Sequence, residues 1–139
     1  MWLLDTNVVS ELGRPRPNRG VIEFISSRPI ESLYSTSIVM AELRRGIDAL
    51  TEPDRRLFYS SWLSETIRPM FGARVLDITE DVVLRWLLLA RETRQRGRTY
   101  PEPDLLLGAV ALHNGMTLVT RNVRDFDGAG VPVLNPWSD

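Results

Sequence analysis

A set of short apolar runs constrains this chain more than anything else in it. Trp2-Leu3-Leu4, Leu33-Tyr34-Ser35, Val75-Leu76, Thr117-Leu118-Val119-Thr120 and Val131 to Leu134 are all of strand length, and the segments between them carry apolar residues at helical spacing. Short apolar strands that alternate with helices are joined by crossovers and pair in parallel. The expected fold class is therefore α/β, with a mainly parallel sheet flanked by helices. Pro132 cannot donate to a ladder, so it argues that the last run is an edge strand.

The helical segments have readable ends. Val8 to Leu12 is a short helix, and Gly13 to Gly20, with two prolines and three arginines, is a loop. Val21, Ile22, Phe24 and Ile25 form an amphipathic helix. Ser37 is the expected N-cap of a helix from Ile38 to Leu50, whose apolar face is Val39, Leu43, Ile47 and Leu50. Thr51 or Asp54 caps the next helix, with Leu57, Phe58, Trp62 and Leu63, and Pro69 and Gly72 are expected to end that segment. Thr79-Glu80-Asp81 opens a long helix that closes on Arg91, Arg94 and Arg96 before Gly97, matching acids to the start of the helix dipole and bases to its end. Pro103 suits the first position of a helix to about His113, and Asn114-Gly115 stops it.

With 139 residues, 43% of them hydrophobic, residues 1–139 read as one domain with a real core and no internal repeat. The net charge of −1 supplies no global field for a nucleic acid, so any such partner needs a local patch or a metal ion. Met1 to Asp5 lacks the basic start of a signal peptide, and no apolar stretch reaches the roughly 20 residues of a membrane span. A cytoplasmic protein without membrane attachment is expected.

Several chemistries are excluded by what is missing. No cysteine is present, which removes thiolate nucleophiles, disulfides and cysteine zinc sites. His113 is the single histidine and stands near a helix C-terminus, where its charge is welcome. One imidazole builds neither a histidine acid–base pair nor a histidine zinc site. No nucleophile elbow, Walker loop or dinucleotide fingerprint occurs. The remaining material is carboxylate, hydroxyl, amide and guanidinium, which suits hard cations such as Mg²⁺ or Mn²⁺.

Four carboxylates merit attention, each with two readings. Asp5 directly follows an apolar strand, where parallel sheets bind ligands, or else simply caps the next helix. Glu42 has Gly46 one turn on, leaving space beside it, or else pairs with Arg45. Asp104 lies in a first helical turn, where the dipole alone accounts for it. Asp125 closes the polar segment Thr120-Arg121-Asn122-Val123-Arg124-Asp125 beyond a strand, or is a loop cap.

Taken together these segments resemble the PIN-domain family, in particular VapC-type toxins of bacterial toxin–antitoxin pairs and their FitB-like branch. The resemblance is carried by Leu3-Leu4-Asp5-Thr6-Asn7, Ala41-Glu42-Leu43-Arg44, Pro103-Asp104, Thr117 to Asn122 with Asp125-Phe126, and Asn135-Pro136-Trp137. It spans nearly the whole chain in order. It implies a PIN-like single domain with a five-stranded parallel sheet, and Mg²⁺- or Mn²⁺-dependent hydrolysis of RNA at Asp5, Glu42, Asp104 and Asp125. On this reading Asp5 and Asp104 bind the principal ion, Glu42 holds that ion or its water, and Asp125 seats a second ion or orients substrate. In-line attack would leave 5′-phosphate and 3′-hydroxyl ends. Thr6, Asn7, Thr120 and Asn122 become supporting polar residues. Arg91, Arg94, Arg96 and Arg98, which precede Asp104, form either a local basic patch for RNA or a solvated helix end, and Arg121 is a further candidate RNA contact.

The chain departs from the family pattern at two positions. Asn122 stands where some relatives carry an acid, so the fourth carboxylate is Asp125, Asp127 or absent, and Pro103 stands where small residues are more usual. The resemblance also implies an antitoxin partner that inserts a basic side chain into the acids, and a homodimer. Trp62, Leu63, Trp86 and Leu87 offer more apolar surface than one thin sheet needs. Two other readings are a PIN-fold RNA- or partner-binding module with decayed catalysis, and a phosphatase-like hydrolase using Asp5 as nucleophile. The second usually wants an Asp where Asn7 stands.

Overall fold

A computed structural model describes residues 1–139. Five strands form one sheet: β1 (Trp2–Leu4), β2 (Leu33–Thr36), β3 (Val75–Leu76), β4 (Thr117–Val119) and β5 (Val133–Leu134), in the order β3-β2-β1-β4-β5. Every pairing is parallel, as the alternation of strands and helices requires. β1 lies at the centre, with Leu3 opposite Tyr34 on one side and Leu118 on the other. Leu3, Leu4, Leu118 and Val119 are fully buried, because helices cover both faces of the central strands. The edge strands β3 and β5 are only half-buried, and β5 with its neighbouring Pro132 is the edge the sequence predicts.

The helices are α1 (Thr6–Glu11), α2 (Arg19–Ser26), α3 (Ser37–Asp48), α4 (Pro53–Trp62), α5 (Arg68–Phe71), α6 (Glu80–Gln95) and α7 (Asp104–His113). The cap of α3 is Thr36 rather than Ser37: its Oγ1 accepts from Val39 N at 3.2 Å. Adjacent hydroxyls competed for this role, and Ser37 instead donates to Asp77 Oδ1 at 2.9 Å. Leu50 falls beyond the helix end. The next helix begins at Pro53, with Glu52 in the cap position and neither Thr51 nor Asp54 there.

Pro69 does not end the segment it was expected to end. A π turn over Leu63–Ile67 follows α4, and α5 then begins with Pro69 in its first turn. The wider turn restarts the hydrogen-bond ladder, so the missing proline N–H falls where no intrahelical bond is needed. Gly72, with φ of 55°, makes the stop. Pro103 occupies the cap position of α7, and Asp104 is its first residue.

The face expected to be surplus divides. Leu63 belongs to the core, Trp62 is half-buried against Gly13, and Trp86 is half-buried. Leu87 remains exposed beside Leu84 and Leu88 on α6, and Leu57 (67% exposed) and Phe58 (62%) project from α4. No helix is long and apolar enough to cross a membrane.

Candidate active site

The strand order reverses at the centre of the sheet. From β1 the chain crosses to β2, and from β4 it crosses the other way to β5. Diverging crossovers leave a crevice at the carboxyl ends of β1 and β4, the place where open parallel sheets bind ligands. Asp5 and Thr120 are the first residues past those two ends.

Asp5 is held from several sides. Its backbone N donates to Val119 O at 3.0 Å, prolonging the ladder by one residue. Oδ1 accepts from Thr6 N at 2.7 Å, so Asp5 is also the cap of α1. Oδ2 accepts from the fully buried Thr120 hydroxyl at 2.8 Å, and Asn7 Nδ2 approaches it at 3.5 Å. Asn7 Nδ2 donates as well to Thr120 Oγ1 at 3.2 Å, and Asn122 N donates to the same oxygen at 3.1 Å. The two readings of Asp5, helix cap and site residue, are therefore both realised by one carboxylate with two oxygens.

Glu42 comes from the second turn of the 12-residue α3, and Thr6 Oγ1 donates to its Oε1 at 2.9 Å. It forms no ion pair with Arg45: the one salt bridge in the molecule joins Arg14 and Glu11 at 3.5 Å. Asp104 opens α7, and Asp125 lies in a 3₁₀ turn, Val123–Phe126, beyond β4.

The electrostatics bring the four together. Asp5 is raised from the ordinary carboxyl value first by burial, then by the charges of Glu42 and Asp125, although the Thr120 and Thr6 hydrogen bonds pull it down. Asp104 is raised to about 6 by burial and then by Asp5, Asp125 and Glu42. The charge of Asp125, which is half-buried, acts on both, whereas Asp127 is exposed. No three acidic groups approach closely enough to encircle an ion with their own atoms. This oxygen-only, loosely gathered set fits a small hard cation that keeps several of its waters, as Mg²⁺ does.

The other expected residues divide between the site and its surroundings. Asn122 contributes its backbone N–H and Asn7 its side chain, and Arg121 N donates to Asn7 Oδ1 at 3.2 Å. Arg98 lines a cavity with Asp125, but its Nη1 donates to Asp127 O at 3.0 Å, and Arg96 Nη2 donates to Gly128 O at 3.3 Å. Both therefore tie the α6–α7 connection to the loop after Asp125. Arg94 lines a different cavity with Trp86 and Leu106, which none of the four acids enters. Tyr100 was not anticipated: its hydroxyl donates to Asp127 O at 2.6 Å and closes the same loop contact. A lone aromatic in a polar stretch gave no signal.

A five-stranded parallel α/β domain with carboxylates gathered at its switch point defines a class of open-sheet protein with an acidic crevice. The PIN-domain family model matches residues 2–131, and the chain belongs to that family. It is 37% identical over 137 residues to the plasmid stability protein StbB of Pseudomonas syringae pv. tomato, covering 99% of each. It is 34% identical over 139 residues to toxin FitB of Neisseria gonorrhoeae, covering 100% of each, and 34% identical over 137 residues to the VapC ribonuclease Y4jK of Sinorhizobium fredii. Its fold superposes on the crystal structure of FitAcB from N. gonorrhoeae with a TM-score of 0.93, at 33% identity and full coverage of both chains.

Proposed function

We propose that this protein is a Mg²⁺- or Mn²⁺-dependent endoribonuclease acting as the toxin of a type II toxin–antitoxin pair in the bacterial cytoplasm. The observation that carries this reading is the gathering of Asp5, Glu42, Asp104 and Asp125, from four separate parts of the chain, about one crevice, where Thr6 bonds both Asp5 and Glu42 and the charges of Glu42 and Asp125 raise Asp5 and Asp104 alike. The ribonuclease and toxin names of its relatives support it.

Asp5 and Asp104 would hold the principal ion, with Glu42 and Asp125 acting through its waters. When bound, the ion supplies positive charge to the scissile phosphate and lowers the pKa of water. The chain's own contribution is positional. Thr120 fixes Asp5 Oδ2, Thr6 fixes Glu42, and the first turn of α7 presents Asp104 at the positive end of its dipole. Four gathered acids also attract a cationic side chain in the ion's place, which gives an antitoxin a direct route to inhibition. Leu84, Leu87 and Leu88 on α6, exposed in the single chain, support the proposed homodimer.

The test is RNA hydrolysis by the purified protein with Mg²⁺ or Mn²⁺, with sequencing of the product ends. Cleavage that survives thorough chelation would remove the mechanism.

A further inference from the structure

The C-terminal residues fold back onto the rim of the acidic crevice. β5 is in register there, since Thr120 N donates to Leu134 O at 3.0 Å. Past β5, Asn135 Oδ1 accepts from Trp137 N at 2.9 Å and turns the chain. Ser138 is then clamped on Asn18, the cap of α2: Asn18 Nδ2 donates to Ser138 O at 2.9 Å, and Ser138 N donates to Asn18 Oδ1 at 3.0 Å. The approach is so close that a Cβ at Gly20 would run into the Pro136 carbonyl. Anchored in this way, Trp137 lies under Arg121, whose guanidinium carbon is 5.2 Å from the ring centroid.

Arg121 is fixed at both ends. Its backbone N–H is bound to Asn7 Oδ1, and Asn7 also contacts Thr120 and Asp5. Its side chain is exposed and stacked, and no carboxylate pairs with it even though the acidic crevice begins one residue away. A stacked guanidinium keeps its N–H edge free for the fork-shaped contact that a phosphate accepts. Stacking also removes rotamer freedom before any ligand arrives, which lowers the cost of binding. A chain of net charge −1 with four gathered acids repels an RNA strand, so a cation held at the mouth of the crevice has a clear use.

We infer that Arg121 binds a backbone phosphate of the RNA strand next to the scissile bond, and that the tail Asn135–Ser138, through Trp137, is the device that aims it. Arg121 makes the contact, and Trp137 is a positioning residue. The inference rests on the ribonuclease reading for the identity of its ligand.

The test measures binding of a fluorescent single-stranded oligoribonucleotide to the full chain, in an Asp104→Asn background with Mg²⁺ so that the strand is not cut. Arg121→Ala, at an exposed position, should weaken binding about tenfold and reduce the slope of log K against log salt by about 0.7, the value for one phosphate on a single strand. Trp137→Leu should weaken binding several-fold on its own and add nothing in the Arg121→Ala background. Trp137→Phe, which keeps a ring and preserves the fold, should stay near the parent, and it carries the comparison if the leucine variant does not fold. Losses that add in full, an unchanged salt slope, or no binding at all overturn the inference. So does a Trp137 effect confined to the affinity of a protein partner. Cleavage by the wild-type protein is measured in parallel. RNA that is bound with the expected pattern but never cut removes the ribonuclease reading and leaves Arg121 in place. RNA that is cut with binding indifferent to Arg121 does the reverse.

Discussion

Asp5 and Asp104 face the same crevice and are held in opposite ways. Asp5 is 8% exposed and surrounded by donors: the Thr6 N–H, the Thr120 hydroxyl and the more distant Asn7 amide. Asp104 is half-buried among negative neighbours, and no hydrogen bond offsets them. The first carboxylate is part of the structure as well as the site, because it caps α1 and satisfies a buried hydroxyl. The second stands in its place at a cost, because α7 presents it there. One site thus contains a framework acid and a strained acid, and they should respond differently to the same substitutions.

The largest difference should appear in catalysis against stability. Asp104→Asn should reduce RNA cleavage by about a thousandfold or more, the scale on which lost metal binding costs several kcal/mol. It should leave the metal-free protein as stable as wild type or more so, since it removes like-charge repulsion. Thermal melting with and without Mg²⁺, alongside cleavage rates, checks both halves. A destabilised Asp104→Asn that keeps the full melting response to Mg²⁺ would show that this Asp serves only the helix dipole.

Thr120→Val tests the framework side. The shape is nearly kept, but Asp5 Oδ2 loses its hydroxyl donor and Asn122 N–H its acceptor. Loss of such outer support typically costs about 10–100-fold in metal affinity or activity. Titrating cleavage against Mg²⁺ concentration should show the curve displaced to higher metal. An unmoved curve means that Thr120 does not position Asp5 for the ion.

Asp5→Ala should destabilise the metal-free fold by about 1–3 kcal/mol, through the lost cap and the stranded Thr120 hydroxyl. Urea unfolding of Asp5→Ala and Asp104→Ala side by side sharpens the contrast, and equal losses in the two would erase it.

The smallest effect is in pH. Asp104 titrates near 6 in the fold against an ordinary value of 3.8. The folded state therefore holds this proton more tightly than the unfolded chain. The contribution of Asp104 favours folding as pH falls from above 6 toward 4, and is lost as pH rises through 6. The metal-free wild type should gain a few degrees of melting temperature relative to Asp104→Asn over that window, and Mg²⁺ should flatten the difference. A difference of the opposite sign would contradict the raised pKa.

These contrasts also explain what the sequence could reveal. Asp5 follows a strand and Asp104 precedes a helix, so spacing alone placed both at element ends. Glu42 had a weaker signal, the space that Gly46 leaves one turn on. It is held by a hydrogen bond from Thr6, 36 residues away, which no local period encodes, and the choice between a site residue and a partner of Arg45 stayed open until the resemblance was brought in. The choice between Asp125 and Asp127 was open for the same reason: both lie in one polar loop, and only the fold half-buries Asp125 within a 3₁₀ turn while leaving Asp127 exposed at its end. Pro69 misled because a breaker was read without the π turn that accommodates it. The Arg94, Arg96 and Arg98 cluster looked uniform along the chain, whereas the fold sends Arg96 and Arg98 to loop carbonyls and Arg94 to another cavity.

The central place of β1 has a consequence in time. Asp5 is among the earliest of these residues to be synthesised, yet its hydroxyl partner Thr120 lies 115 residues later, and β4 must be in register beside β1 before the two meet. Sheet centres closed by such distant partners form late, after local helices have already condensed. A growing chain can make α1, α2 and α3 on the ribosome without making the crevice. The acidic crevice therefore assembles only when translation of the domain is almost done, and on the proposed ribonuclease reading the emerging polypeptide stays inactive beside the RNA that encodes it.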